Sequence, residues 1–243
     1  MNFCPKCRKK LVVQDFCVEC GADLSQYLNA SNQSESLDSF DFSALEREAG
    51  KQLAFVSKFT VGASVSYGSY YINNRYNKDP IEWIVVAKED GRALLLSKYA
   101  LDFKTYHIKN EYVVWKDCSL RAYLNGEFLY NYFDLNEQSR ILNTQNEDSC
   151  VDKIFLLSED EFNKYIKNTG YASCKATPYV MSLDTVSFTG DIRSWWLRST
   201  SCGQIYSLYY AKSVYAVGEI NNSGAGILNN LICIRPAMWI DLN

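Results

Sequence analysis

Four cysteines near the N-terminus carry the clearest chemistry in the sequence. Cys4 and Cys7 bracket Pro-Lys, Cys17 and Cys20 bracket Val-Glu, and nine residues separate the two pairs. Each Cys-X-X-Cys places two thiolates on one tight turn. Gly21, just past the second, supplies a residue that takes left-handed backbone without strain. Together Cys4, Cys7, Cys17 and Cys20 offer Zn²⁺ a closed tetrahedral Cys₄ shell. All four coordination positions are filled by protein, so the expected zinc is structural and not catalytic. Residues 1–24 hold too few apolar side chains to fold alone, so metal binding and folding are expected to be one event. Lys6 lies within the first knuckle and Arg8, Lys9 and Lys10 just after it, where a solvated face is expected over nucleic-acid contact.

Elsewhere the reactive side chains are sparse. His107 is the only histidine, so no His-based metal cluster can form and at most one Ser-His-acid triad is available. Its setting, Tyr106-His107-Ile108, favours a structural role. Cys118, Cys150, Cys174, Cys202 and Cys233 are scattered. No Gly-rich phosphate cradle of the GxxxxGK[ST] or GxGxxG type occurs. The formal charge of −3 gives no electrostatic basis for wrapping nucleic acid. No run of apolar residues is long enough to span a bilayer. The N-terminus, MNFCPKCRKK, has no apolar signal core, so a cytoplasmic protein with reduced thiols is expected. Tyrosine (18) outnumbers phenylalanine (12), which fits either a recognition surface or a Tyr-rich β core.

Behind these residues, the chain of 243 residues divides by texture. Residues 1–24 form the zinc-ribbon candidate. Residues 25–42, rich in Ser, Asn, Gln and Asp, read as a linker. Ser43-Ala-Leu-Glu46 matches a capping box, and Leu45, Ala49, Leu53 and Val56 then share one helical stripe. That stripe either docks on the main domain or mediates self-association, a homo-oligomer through residues 43–57. Linker and helix together occupy 25–59, and the main domain 60–243. Within it, 61–72 reads as a strand with bends. Ile81–Ala87 and Ala93–Ser97 flank a Glu89-Asp90-Gly91 turn as a hairpin. Leu120, Leu124, Phe128 and Tyr132 fall on one helical face. Asp134–Glu137 and Ser158–Glu161 are further capping boxes, the first opening a short helix through Leu142 and the second following a short buried strand, 153–157. The predicted class is α+β, helices first and then an irregular, loop-rich sheet.

Several separated segments share one pattern: 61–107, 115–142, 152–162, Ser194-Trp-Trp-Leu-Arg-Ser-Thr200 and Ile234-Arg-Pro-Ala-Met-Trp-Ile-Asp-Leu242. In order and spacing they resemble an uncharacterised domain family of bacterial and phage proteins, often preceded by a zinc ribbon. The double Trp with Leu-Arg-Ser, closing on Ile-Arg-Pro-Ala, is also similar to the C-type-lectin-like fold. Formylglycine-generating enzymes and the variable proteins of diversity-generating retroelements share that fold. In the variable proteins, a segment between those two markers is hypermutated at template adenines. The resemblance thus implies an α+β, C-type-lectin-like (formylglycine-generating-enzyme-like) domain behind a small Cys₄ zinc ribbon. Trp195, Trp196 and Trp239 would brace it, with Arg198 and Arg235 pinning loops beneath a displayed face.

On that reading the function is non-catalytic binding of a protein ligand through about 200–233. The contact candidates are Ser201, Cys202, Ile205, Tyr206, Leu208, Tyr210, Tyr215, Asn221, Asn222, Leu228 and Leu231. An AAC codon mutated at its adenines cannot become Gln, Lys, Glu, Met or Trp. Between Thr200 and Cys233 only Gln204, Lys212 and Glu219 fall outside the reachable set. Two alternatives stay open. One is a structural adaptor acting through the zinc ribbon. The other is a modifying enzyme like the formylglycine-generating relatives, in which Cys202 and Cys233 would imitate a reactive pair. Neither calcium-ligating triplet of the sugar-binding lectins, Glu-Pro-Asn or Trp-Asn-Asp, is present.

Overall fold

The computed structural model describes residues 42–146, 149–183, 190–201 and 209–243, with side chains from residue 46 onward. Cys4, Cys7, Cys17 and Cys20 lie outside the described residues, as does the side chain of the capping pair's Ser43. The chain divides into two compact units at Ala49/Gly50, and everything that follows concerns the second, Gly50–Asn243. It is mixed α+β with antiparallel sheets.

Helix α1 (Phe42–Ser57) enters this unit with its last two turns. Here the expected stripe is rotated. Phe55 and Val56 pack on the core and the Gln52 amide donates to Leu242 O at 2.9 Å, while Leu53 is 73% exposed. The Phe55 ring has more area to bury, and it stacks on Phe59 at 4.9 Å.

The first sheet has the order β1-β2-β3-β13, all antiparallel: β1 (Ser64–Tyr70), β2 (Asp79–Glu89), β3 (Arg92–Ser97) and β13 (Ala237–Asp241). Asp90 and Gly91 both take positive φ (49° and 71°), the two-residue turn that matches strand twist. This is the predicted hairpin. The final strand pairs along β3, with Trp239 opposite Leu94, so the beginning and end of the unit are held in one sheet. After α1, the first strands precede the remaining helices, whereas the sequence pattern predicts the helices first and the sheet after them.

Helix α2 (Ser119–Tyr123) runs through a π-helical turn (Leu124–Phe128) into α3 (Leu129–Tyr132). Leu120, Leu124, Phe128 and Tyr132 are all buried, as their spacing predicts. The capping boxes at Asp134 and Ser158 are both formed, opening α4 (Leu135–Arg140) and α5 (Glu159–Tyr165). The first of these helices stops at Arg140 and not at Leu142. Residues 154–157 are buried but form no strand. Only Phe155 bridges to Ala237, on the edge of β13 away from β3, and the same edge is taken further along by Ile141 opposite Ile240.

The second sheet has the order β11-β10-β9-β12-β4: β4 (Asp102–Phe103), β9 (Trp195–Thr200), β10 (Tyr210–Val214), β11 (Ile220–Gly226) and β12 (Cys233–Ile234). Within this sheet, among the described residues, only the β12–β9 pair is parallel. Two short antiparallel pairs stand apart from both sheets: β5 (Thr144–Gln145) with β6 (Val151–Asp152), and β7 (Cys174–Lys175) with β8 (Ile192–Arg193). Among the described residues, no helix is long and apolar enough to cross a membrane.

Candidate functional site

β9 lies inside the second sheet and is covered on both faces, which is why two consecutive tryptophans are both fully buried. Successive strand residues point to opposite faces. Trp195 packs edge-on against Phe162 of α5 (centroids 5.9 Å), its Nε1 donates to Ala172 O at 3.1 Å, and the Arg235 guanidinium lies 4.9 Å over its ring. Trp196, on the other face, meets Tyr106 at 5.6 Å and donates from Nε1 to Lys104 O at 2.8 Å. The Tyr106 hydroxyl returns to Arg198 O at 2.6 Å. Arg198 donates to Leu156 O at 2.8 Å and to the Glu161 carboxylate. Arg235 is buried and donates from Nε to Ser97 O at 2.9 Å and from a terminal nitrogen to Tyr171 O at 2.6 Å. Burial pulls its guanidinium below the usual value. Trp239 is also buried. The buried cations thus spend themselves on loop carbonyls, which fixes the loops that flank β9.

The contact candidates separate into three groups. Tyr210, Tyr215, Asn222 and Leu228 face solvent, and Leu231 is half-buried. Ser201 and Asn221 are buried, so they cannot serve as the outward contacts expected of them. Ser201 N–H donates to Tyr210 O at 3.3 Å at the start of the β9–β10 connection. Asn221 pairs with the buried Ser213, and its amide donates to Gly224 O at 3.0 Å, closing a bulge at a glycine with φ of 74°. Cys202, Ile205, Tyr206 and Leu208 lie outside the described residues. Two exposed apolar residues were missed: Tyr209 and Val217, the latter 77% exposed.

These outward residues occupy two places. Tyr210 pairs with Gly226, next to Leu228 at one end of β10. Tyr215 and Val217 belong to the turn at the other end, roughly 17 Å away by strand rise.

One constellation looks catalytic at first reading. Ser119 Oγ is 2.9 Å from His107 Nδ1, and His107 Nε2 is 3.2 Å from Glu111 Oε1, the order nucleophile, base, carboxylate. That hydrogen bond and the neighbouring Lys109 hold Glu111 below the usual carboxylate range. Acyl transfer also needs free N–H donors at the nucleophile for the oxyanion. Here Ser119 N–H is spent on His107 Nδ1 at 3.1 Å, Leu120 N–H on Tyr106 O and Arg121 N–H on Cys118 Sγ. The His107 ring therefore ties the loop after β4 to the start of α2, the structural role expected from its surroundings. Burial raises the Cys118 thiol to about 12 and pushes Cys174 up as well. Cys233 is buried in β12, and Cys202 lies outside the described residues. Among the described residues, no group of three or more His, Cys, Asp or Glu side chains is placed to hold a metal.

Residues 90–242 match the sequence family described as Domain of unknown function (DUF6273). No curated protein and no solved structure matches.

Proposed function

The chain belongs to the DUF6273 family, and from the geometry of its body we propose a non-catalytic recognition module. It is the variable protein of a diversity-generating retroelement, with a C-type-lectin-like frame that presents a diversified face at about 200–233 to a protein ligand. One observation carries this reading: among the described residues, each of four buried polar side chains of the frame has hydrogen-bond partners outside that segment. Trp195, Trp196, Arg198 and Arg235 are answered by Ala172, Lys104, Leu156, Glu161, Ser97 and Tyr171. Exchanging an outward side chain after β9 breaks none of these hydrogen bonds, and a stranded buried group is costly. Tyr209, Tyr210 and Tyr215, each at least 39% exposed, support binding by burial of rigid aromatic area. A structural Zn²⁺ held by Cys4, Cys7, Cys17 and Cys20, in a cytoplasmic setting, is part of the same proposal.

The test is the genomic neighbourhood. The reading expects a reverse transcriptase gene and a near-copy of the 194–236 coding segment that differs at adenines. Absence of both, with outward residues constant among close relatives, removes the diversification. Deleting residues 1–41 separates the adaptor alternative: it abolishes partner capture if the ribbon does the binding, and spares it if the body does.

A further inference from the structure

We propose that the cleft between α5 and the start of β11 takes a peptide segment of the ligand that carries one acidic and one basic side chain. The inference rests on the recognition reading above and names the form in which the ligand meets this end of the body.

The cleft holds about 550 Å³, inside the range of roughly 300–1,000 Å³ usual for ligand sites. One wall is α5 and the residues after it, with Phe162, Asn163, Lys167 and Asn168. The other is the turn into β11 and its first residues, with Glu219, Ile220 and Asn222. Both walls are fixed before a ligand arrives. The Phe162 ring packs on Trp195, and Lys212 ties Glu159 to β10. Across the cleft, Ser173 Oγ donates to Ala216 O at 2.9 Å, and Tyr215 N–H donates to Glu219 O at 2.8 Å. Gly218, at a φ of 93°, lies so close to this support that a Cβ there would be 3.0 Å from Ser173 N. A cleft already shaped lowers the ordering cost of binding.

The lining chemistry selects the occupant. Among the described residues, the exposed carboxamides of Asn163, Asn168 and Asn222 have no hydrogen-bond partner. Each couples a donor with an acceptor, the pair that a peptide group also presents. Among the same residues, the Lys167 ammonium and the Glu219 carboxylate form no ion pair, whereas Glu159 and Lys212 beside them are spent on each other. Lys167 and Glu219 stand on opposite walls, so a ligand that answers both carries both signs. Glu219 disfavours a polyanion and Lys167 a polycation. Phe162 is only 2% exposed and offers no aromatic platform to a sugar ring. A stretch of polypeptide supplies both charges with amide groups between them. It can also run on to Tyr215 and Val217, the outward residues of the adjoining turn.

On the recognition reading the two charges are constant. Lys167 lies outside the diversified segment, and Glu219 lies outside the codon-reachable set. Isoleucine and asparagine are both reachable. The charged pair therefore sets the class of peptide, and positions 220 and 222 choose among its members.

The experiment pans a phage library of random dodecapeptides against the full chain and measures the commonest binder, labelled, by fluorescence polarisation. Enriched peptides are expected to carry an acidic and a basic residue. Lys167→Glu, an exchange at an exposed position, should weaken them at least ~10-fold through like-charge repulsion and leave thermal unfolding unchanged. Panning repeated on Lys167→Glu should replace the acidic residue with a basic one. Tyr210→Ser, at the far end of β10, should change affinity less than ~2-fold. Peptides that are indifferent to Lys167→Glu, or that are lost with Tyr210→Ser instead, overturn the cleft and leave the recognition reading standing. A mixture of free aspartate and lysine that displaces the peptide at equal concentration overturns it in favour of a small zwitterion. Enrichment of no peptide also overturns the cleft, while the genomic test of the recognition reading is decided separately.

Discussion

Trp196→Ala sets the frame against the face in one measurement. The indole is fully buried between Tyr106 and the second sheet, and it satisfies Lys104 O at 2.8 Å. Truncating a buried aromatic to alanine costs about 3–5 kcal/mol. Leaving the Lys104 carbonyl without its donor adds about 1–3 kcal/mol. The sum, about 4–8 kcal/mol, is a large part of the 5–15 kcal/mol that typically holds a domain together. For a body of roughly 190 residues, where about 1 kcal/mol moves Tm by 2–4 °C, the melting point falls by at least ~8 °C. The matched perturbation is the triple variant Tyr210→Ser, Tyr215→Ser, Leu228→Ser. Each of these residues is 41–47% exposed, and surface exchanges usually stay within about 0.5 kcal/mol. The triple should cost no more than about 1.5 kcal/mol. Urea unfolding followed by far-ultraviolet circular dichroism reads both, free of the change in tryptophan fluorescence. If the triple variant loses as much stability as Trp196→Ala, the segment after β9 is part of the frame and the reasoning fails.

Further outcomes follow from other buried groups. Asp152 is fully buried as a side chain and accepts from Trp115 Nε1 at 2.9 Å, Arg121 Nε at 2.6 Å and Asn146 Nδ2 at 2.7 Å. Asp152→Ala should destabilise by about 3–5 kcal/mol in denaturant titration, because it leaves the Arg121 charge unpaired. Stability should fall in alkali. Burial holds Cys118 and Tyr132 up to about 12, and raises Tyr67, Tyr70 and Tyr123 as well. The unfolded thiol and phenols ionise from about pH 8.5–10, so there the unfolded state binds fewer protons and ΔG declines as pH rises. Denaturant midpoints at pH 7 and at pH 10.5 check the sign, which an unchanged or higher midpoint in alkali would contradict. For the N-terminal cysteines, metal analysis of the purified chain should find stoichiometric zinc. Cys17→Ser should abolish it and leave the unfolding transition of the body in place.

What could be read from the sequence was local. The Asp90-Gly91 turn, the caps at Asp134 and Ser158, and the face of Leu120, Leu124, Phe128 and Tyr132 depend on residues within a few positions of each other. Each was legible because turn chemistry, capping and helical period act at that range. The tryptophans of β9 were legible for a related reason: two adjacent indoles in a strand need cover on both faces. What failed to show was long-range. The register between β10 and its neighbours shifts between Ala211 and Ser213, so alternation along the strand does not tell which residues face outward. Asn221 therefore read as a contact and lies inside. The placement of Ile108 near Leu228 depends on a hydrogen bond from His107 to Ile227, a pairing with no local signature. Its only trace was an isoleucine and a tyrosine set among Lys109, Asn110 and Glu111. The helix stripe failed differently, since Phe55 and Leu53 both satisfy an apolar pattern and only packing decides between them.

The segment after β9 is not free throughout, and its exceptions bear on how it could vary. Ala211, Ser213, Val214 and Ile227 are buried, and each exchange there meets the core. The Lys212 side chain is only 14% exposed and reaches the Glu159 carboxylate in the first turn of α5, whose next residues carry the Glu161 cap and the Arg198 contact. Lysine is one of the residues an adenine-mutated AAC codon cannot produce. Of the three residues that codon chemistry sets apart, Lys212 ties β10 to the frame, and Gln204 lies outside the described residues. Glu219, also outside the reachable set, gives its carbonyl to Tyr215 N–H at 2.8 Å and closes the turn between β10 and β11. Base chemistry and packing thus agree at Lys212, while packing also holds codon-reachable positions such as Ala211 and Val214, and the Glu219 carbonyl would be present whatever its side chain. On the proposed reading, the exchanges among the described residues that strand no buried partner fall at positions such as Tyr209, Tyr210, Asn222 and Leu228.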